Sequence, residues 1–303
     1  MITDVTVIIV NYKTKHLIKD CLESLFFQTK NINFDVIVVD NNSNDNIKLM
    51  LDLQFPLVKF IQNETNLGFG AANNVAIKQA AGKYIFLLNP DTIVLNNVIK
   101  KFYDFAESSS NLGCIGCFLE DLNGVKIHSY GQFLSYWYDL FYAVGYSAKK
   151  VLYLKNKKFI NPVHKSYNNF IEVDYVTGAD LFIPSCVLND IGLFDETFFM
   201  YSEETDLQYR MMAKGYKRVI IPECRIVHLE GQSFSLSNTR RIMMNVSKMK
   251  YVEKHKGYLK YLLMKYVLLF SGLIGTIADI YYKEYRFIDN IHYLRCILNE
   301  QYK

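Results

Sequence analysis

Two hydrophobic rhythms alternate over the first hundred residues. Val5–Val10 (VTVIIV) is a short β-branched apolar run, and Leu17, Cys21, Leu22 and Leu25 then recur at helical spacing. The same exchange repeats downstream. Asp35–Asp40 (DVIVVD) and Val58–Ile61 predict a second and a third strand, and Ala71–Ala81 predicts a helix closed by Gly82. Tyr84–Leu88 (YIFLL) predicts a fourth strand, and Asn96–Ala106 begins a further helix. Strands that are apolar at successive positions bury both faces. The expectation is therefore an α/β fold with a mainly parallel central sheet covered by helices on both sides.

The rhythm loosens in the second half. Gly113–Leu119 reads as a strand, whereas residues 121–172 are irregular, rich in Tyr, Asn and Lys, and read as an insertion over the sheet edge. Val173–Pro184 is strand-like again, Glu203–Lys214 is a helix closed by Gly215, and Arg218–Ile221 is a last short strand. Beyond Ser237 the pattern is helical to the end. This divides the chain into an α/β domain over residues 1–236, with its insertion at about 121–172, and a C-terminal helical region over residues 237–303.

Charge sharpens that division. The 303-residue chain carries +4, but residues 238–303 hold 12 Lys/Arg against 5 Asp/Glu, a balance of +7, which leaves −3 for the rest. A basic region that is also rich in Leu, Tyr and Ile fits an anionic membrane surface better than nucleic acid, and no nucleic-acid partner is expected. Burying the same apolar faces in a homodimer is the alternative. Tyr266–Ala278 is uncharged but only 13 residues long, and a membrane span needs about 20. A buried or interfacial helix flanked by Lys260, Lys265 and Lys283 is the reading it supports. The start, Met1 to Asp4, lacks the basic n-region of a secretory signal, and Val5–Val10 is too short for its core. The six cysteines are scattered, with one CxxC at Cys114 and Cys117 and no second pair at zinc spacing. They read as small buried hydrophobes in a reducing cytoplasm.

Ligands of open α/β sheets sit outside the carboxyl ends of the strands, and acidic residues fall there. Asp40 closes the second strand in VVDNNSND and Asp91 follows the fourth in LLNPDT. Either alone serves equally well to cap a turn or helix; two in one sheet favour a polar ligand. The run Gly68-Phe-Gly70-Ala-Ala-Asn73 approaches the dinucleotide fingerprint, but Asn73 replaces its third glycine and the run follows the third strand. Close backbone approach to a ligand, with Asn73 as a hydrogen-bonding side chain, is the reading retained. Glu203, Glu204 and Asp206 cluster near a helix start. One of them serves the helix dipole, and mutual repulsion would raise the pKa of another, as suits a general base. His228, in IVHLEGQS, lies where a turn would bring it to the same sheet edge. Asp91 and His228 together would hold a divalent ion, with phosphates completing the shell.

Seven stretches, in order, resemble family 2 glycosyltransferases of the GT-A fold, close to the bacterial rhamnosyltransferase-like branch. They are VTVIIVNY, VIVVDNNSND, NETNLGFGAANN, YIFLLNPDT, VTGADLFIPS, GLFDETFFMYSEETDLQYRMMAKGY and VHLEGQS, spanning about residues 4–235. The resemblance implies roles. Asp40, Asn42 and Ser43 would contact the base and ribose of the donor, with Val10 and Tyr12 bordering the base. Asn66, Gly68 and Asn73 would line the donor pocket. Asn89-Pro90-Asp91 occupies the place of the family's Asp-x-Asp motif, with Asp91 as the ligand of Mg2+ or Mn2+ and His228 beside the metal and diphosphate. Gly178, Ala179 and Asp180 would border the acceptor and donor sugar. The family's base motif, Glu-Asp-x-Asp, reads Glu203-Glu204-Thr205-Asp206, which makes Glu204 the base, with Glu203 and Asp206 in reserve.

The activity implied is inverting, metal-assisted transfer of a sugar from a nucleotide donor. The expected donor is dTDP-rhamnose, with UDP-hexoses second. The expected acceptor is a growing cell-surface polysaccharide (O-antigen or capsule) or a lipid-linked glycan. The protein is then expected in the cytoplasm, peripheral on the inner face of the membrane. Two rivals from other classes are a non-catalytic sugar-nucleotide-binding assembly subunit and a nucleotidyltransferase. The second lacks a glycine- and lysine-rich phosphate loop near the N-terminus.

Overall fold

The computed structural model describes residues 3–133, 167, 169–229, 237–281 and 287–302. Most of the expected insertion, residues 134–166 and 168, lies outside the described residues, as does Lys283. The chain divides into two compact units. The first is built from residues up to 133, 163–197 and 203–235, and the second from residues 134–162, 198–202 and 236–303.

The first unit is a mixed α/β layer. Its strands are β1 (Val5–Asn11), β2 (Phe34–Asp40), β3 (Lys59–Gln62), β4 (Tyr84–Leu88), β5 (Thr92–Val94), β6 (Leu112–Glu120), β8 (Ile171–Glu172), β10 (Asp180–Pro184) and β11 (Lys217–His228). They form one sheet in the order β3-β2-β1-β4-β10-β6-β11-β5, with β8 added against β11. A two-stranded ribbon pairs β7 (Tyr130–Gly131) with β9 (Tyr175–Val176). Strands β3, β2, β1 and β4 run parallel, as does the β6–β11 pair. The structure departs from the sequence pattern at β10, which enters antiparallel between β4 and β6.

The apolar strands bury both faces. On one side Val5, Val7, Ile9, Val36 and Val38 pack with Ile18, Leu22 and Leu25 of α1 (Lys15–Gln28) and Val98, Ile99 and Phe102 of α4 (Val98–Glu107). Met50 and Leu51 of α2 (Ile47–Gln54) join this side. On the other, Ile8, Ile37 and Val39 pack with Ala72 and Ala76 of α3 (Phe69–Ile77), Val187 and Leu188 of α5 (Ser185–Ile191), and Leu207 and Met211 of α6 (Glu203–Ala213). Successive strand residues feed opposite cores, as the period of two requires. Cys114 and Cys117 belong to opposite faces. Burial drives both thiols far above their ordinary pKa, and each side chain packs into its own core layer.

The second unit packs α7 (Ser237–Lys256), α8 (Tyr258–Tyr281) and α9 (Phe287–Asn299) around Ile242, Val246, Met249, Tyr261, Met264, Leu268, Tyr293 and Ile297. It also holds the segment 198–202. Ser247 Oγ donates to the Met200 carbonyl at 2.7 Å, and the Phe199 and Tyr302 rings lie 5.6 Å apart. Helix α8 extends well beyond the uncharged Tyr266–Ala278 stretch. By length and composition, Tyr258–Ile277 is the one window among the described residues apolar enough to cross a membrane. A third of that window is buried inside the unit, at Tyr261, Met264, Leu268, Ser271, Gly272 and Gly275.

Candidate active site

Parallel strands β1, β2 and β4 end together, and the predicted acids stand at that edge. Asn11 is in register with Asp40. Its buried amide donates to Asp40 Oδ1 at 2.7 Å, Ser43 Oγ at 3.0 Å and Asp45 Oδ2 at 3.0 Å. Asp40 Oδ2 also accepts from Gln62 Nε2 at 2.8 Å and the Ser43 amide at 3.2 Å. Asp40 and Ser43 are therefore tied into the loop that closes β2, while Asn42 turns through the left-handed region (φ 63°) and stays half-exposed. An ionised carboxyl has about four lone-pair positions, so Asp40 retains capacity for a ligand. Val10 and Tyr12 are partly buried at the end of β1 and just after it.

The loop from β3 to α3 is held by a second asparagine. Asn41 Nδ2 donates to Asn66 Oδ1 (2.8 Å) and the Gly68 carbonyl (3.2 Å), and its Oδ1 accepts from Asn63 Nδ2 and the Leu67 amide. Gly68 takes φ 86°, a left-handed conformation that only glycine adopts without strain. Gly70 serves packing. A Cβ there would stand 3.0 Å from Phe194 Cβ and 3.5 Å from Glu203 Cβ, so its absence lets α3 and α6 approach. Asn73 is buried on α3 and donates to the Phe69 carbonyl of its own helix. That bond braces α3 from within.

Asp91 and His228 come together. The antiparallel β5–β11 pair sets Thr92 opposite His228, and the Leu229 amide donates to the Asp91 carbonyl at 2.9 Å. His228 Nε2 lies 3.2 Å from Asp91 Oδ1 and 3.5 Å from Asn89 Nδ2. Strand β11 is twelve residues long, so His228 ends it directly, with no turn needed to bring it to the edge. One carboxylate and one imidazole suit a hard divalent cation whose remaining ligands are phosphate and water. Among the described residues no three His, Cys, Asp or Glu side chains group to hold a metal by themselves.

Gly178 and Ala179 lie in the turn that joins β9 to β10, and Asp180 begins β10. The Asn89 amide donates to the Ala179 carbonyl at 2.9 Å, which ties this segment to the Asn89–Asp91 turn. Gly178 faces the start of α3 and of α6: a Cβ there would meet the Phe69 ring at 3.3 Å and Glu204 Cβ at 3.8 Å. Asp180 is fully buried, its Oδ2 accepting from the Cys117 amide at 2.6 Å, and burial lifts its pKa to about 7. It packs against Gly116.

The three acids of α6 have separate surroundings. Glu203 is buried against Gly70. Asp206 is buried and ion-paired with Arg210 at 3.0 Å, and the same guanidinium donates to the carbonyls of Ile191 (2.6 Å), Gly192 and Leu193. Glu204 alone is partly exposed. Desolvation raises its pKa, opposed by the Glu204 and Thr205 amides of the first helical turn. The perturbation comes from burial, whereas the sequence suggested repulsion among neighbouring acids.

Asn11, Asn41, Gln62 and Gln208 were not singled out by the sequence. The available signal was position: a lone polar residue closing an apolar strand, or next to the strand-end acid, for the first two.

These features coincide with the GT-A fold. The mannosyltransferase PcManGT from Pyrobaculum calidifontis, solved in complex with GDP-Man and Mn2+, superposes with a TM-score of 0.58 at 15% identity, over 97% of this chain and 75% of that one. The family model for glycosyl transferase family 2 matches residues 6–168, more than half the chain, and the protein belongs to that family. It is a glycosyltransferase. Its relatives include the N-acetylglucosaminyl-diphospho-decaprenol L-rhamnosyltransferase of Mycobacterium tuberculosis, 25% identical over 76% of this chain and 78% of that protein. A low-salt glycan biosynthesis hexosyltransferase of Haloferax volcanii is 24% identical over 75% of this chain and 66% of that protein.

Proposed function

We propose that the protein transfers a sugar, with inversion, from a nucleotide donor to a lipid-linked or growing surface glycan, and that the donor is dTDP-rhamnose. The observation carrying this reading is the Asp91–His228 pair, 3.2 Å apart at the carboxyl edge of the sheet. The rhamnosyltransferase relative supports the choice of sugar.

Asp40 and Asn42 receive the base and ribose, bordered by Val10 and Tyr12, with Ser43 shaping the loop. Asn66 and Gly68 line the donor pocket, and Asn73 keeps α3 in place behind it. Asp91 and His228 hold Mg2+ or Mn2+ against the diphosphate, with Asn89 beside them. When bound, the ion neutralises the charge developing on the leaving diphosphate. Gly178 and Ala179 border the sugars, and Asp180 supports them from below. Glu204 removes the proton from the acceptor hydroxyl as that oxygen attacks the anomeric carbon; such base catalysis contributes roughly 100- to 10,000-fold. Glu203 and Asp206 are occupied in packing and in the Arg210 network, which leaves Glu204 as base.

The exposed face of α8 docks the protein on the membrane that carries the acceptor. Leu259, Leu263, Tyr266, Phe270, Leu273 and Ile277 are all exposed and follow one another by three or four residues, a single apolar stripe. The +7 of residues 238–303 suits an anionic cytoplasmic leaflet. Flotation with anionic vesicles, lost in Phe270→Asp, is expected; a soluble homodimer that Phe270→Asp dissociates would replace docking with self-association.

The reaction is tested by supplying dTDP-rhamnose, UDP-hexoses, Mn2+ and a polyprenyl-diphospho-sugar acceptor, and determining the anomeric configuration of the product by NMR. An inverted rhamnoside is expected. Turnover of a UDP-hexose alone would change the donor, and a retained configuration would remove the single-base mechanism.

A further inference from the structure

Gln208 lies one turn beyond Glu204 on the same face of α6 and is fully buried. A glutamine amide offers two donor and two acceptor positions, and here all four are used. Its Oε1 accepts from the Val176 amide at 2.7 Å and from Cys114 Sγ at 3.2 Å. Its Nε2 donates to the Val176 carbonyl at 2.7 Å and to the Glu204 carbonyl at 3.1 Å. Both main-chain groups of Val176 turn toward the helix, so the side-chain amide replaces the strand neighbour that β9 lacks on this side. No other side chain has this length together with both donors and acceptors, so the contact fixes α6 against β9 in one register.

That register matters two residues further on. Gly178 follows Val176, and the position of its missing Cβ is 3.8 Å from Glu204 Cβ. Glu204, Gln208, Val176 and Gly178 thus form a closed circuit that joins the proposed base to the segment bordering the sugars. We infer that Gln208 is a positioning residue for the transfer reaction, setting the placement of the Glu204 carboxylate relative to Gly178 and Ala179. This rests on Glu204 being the base. A misplacement of about 1 Å at a reacting centre costs on the order of 100-fold in rate.

The test is a double-mutant cycle on the full chain. Gln208→Met keeps the volume and removes all four hydrogen bonds; Gln208→Asn keeps the amide on a shorter arm and serves if the first fails to fold. Either is expected to lower kcat by about 10- to 100-fold, with donor KM and nucleoside-diphosphate affinity within about twofold, because the Asp91–His228 end is untouched. On the Glu204→Gln background the same substitution should cost nothing further, since the group it positions is gone. An unchanged kcat, or an equal loss on both backgrounds, would overturn the positioning role while leaving the base assignment intact. A Glu204→Gln protein with wild-type kcat would instead remove the base, and the inference with it.

Discussion

Burial raises the pKa of two carboxyl groups and so disfavours their ionised forms. Glu204 is raised by desolvation against two helix amides, and Asp180 is lifted to about 7. For Glu204 the active form is the deprotonated one. Then kcat/KM falls as pH drops through an apparent pKa above the ordinary 4.5 of a glutamate, and a pH–rate profile checks it. The effect on stability has the opposite sense. A raised folded-state pKa means that the native protein binds the proton more tightly than the unfolded chain, so stability is lost as pH rises. Asp180 should therefore make the stability of the wild type fall progressively as pH rises from about 4 to about 7. Urea titrations should find that slope reduced in Asp180→Asn, whose carboxamide oxygen still accepts from Cys117. An equal slope in both proteins would contradict the assignment. The predicted residues at the sheet edge were legible because strand-end acids are unusual in apolar runs. The amides that hold them were not, because an asparagine's partners are set by tertiary packing and loop path.

Helix α6 is the element on which the site turns, and it is braced by side chains that its amphipathic pattern hides. Removing the Arg210 cation from the buried Asp206 should cost about 3–5 kcal/mol and also release the carbonyls at 191–193. Chemical denaturation of Arg210→Ala measures this directly. Strand packing is equally close at Gly116, where an added Cβ would lie 2.3 Å from Val176 Cγ1. Gly116→Ala should destabilise by about 1–3 kcal/mol through overpacking. Strands β1, β2, β4 and β6 were readable from apolar runs. Helix α2 was not, because IKLMLDLQ alternates apolar and polar residues like a strand while Leu49 and Leu53 are exposed. The reversal of β10 was not readable either: Thr177-Gly178-Ala179 interrupts the apolar pattern of Val173–Pro184 where β9 ends and β10 begins, but such a break does not give the direction in which the next strand pairs.

At the scale of the molecule, the chain combines a GT-A unit, to which we assign the donor chemistry, with a basic helical unit whose α8 keeps an apolar stripe exposed. The helical character of the C-terminal region and its charge were plain in the sequence. Which face of α8 is exposed depends on how α7 and α9 cover the other, and no single-helix pattern specifies that. The central claim is that Asp91 and His228 bind the donor diphosphate with a divalent ion and that Glu204 activates the acceptor. The most direct test is nucleoside-diphosphate release from dTDP-rhamnose with Mn2+ and acceptor, compared among wild type, Asp91→Ala and Glu204→Gln, with donor binding measured in parallel. The account predicts that Asp91→Ala loses both binding and turnover, while Glu204→Gln binds donor normally and turns over roughly 100- to 10,000-fold more slowly. Donor binding that survives Asp91→Ala, or turnover that survives Glu204→Gln, would contradict it.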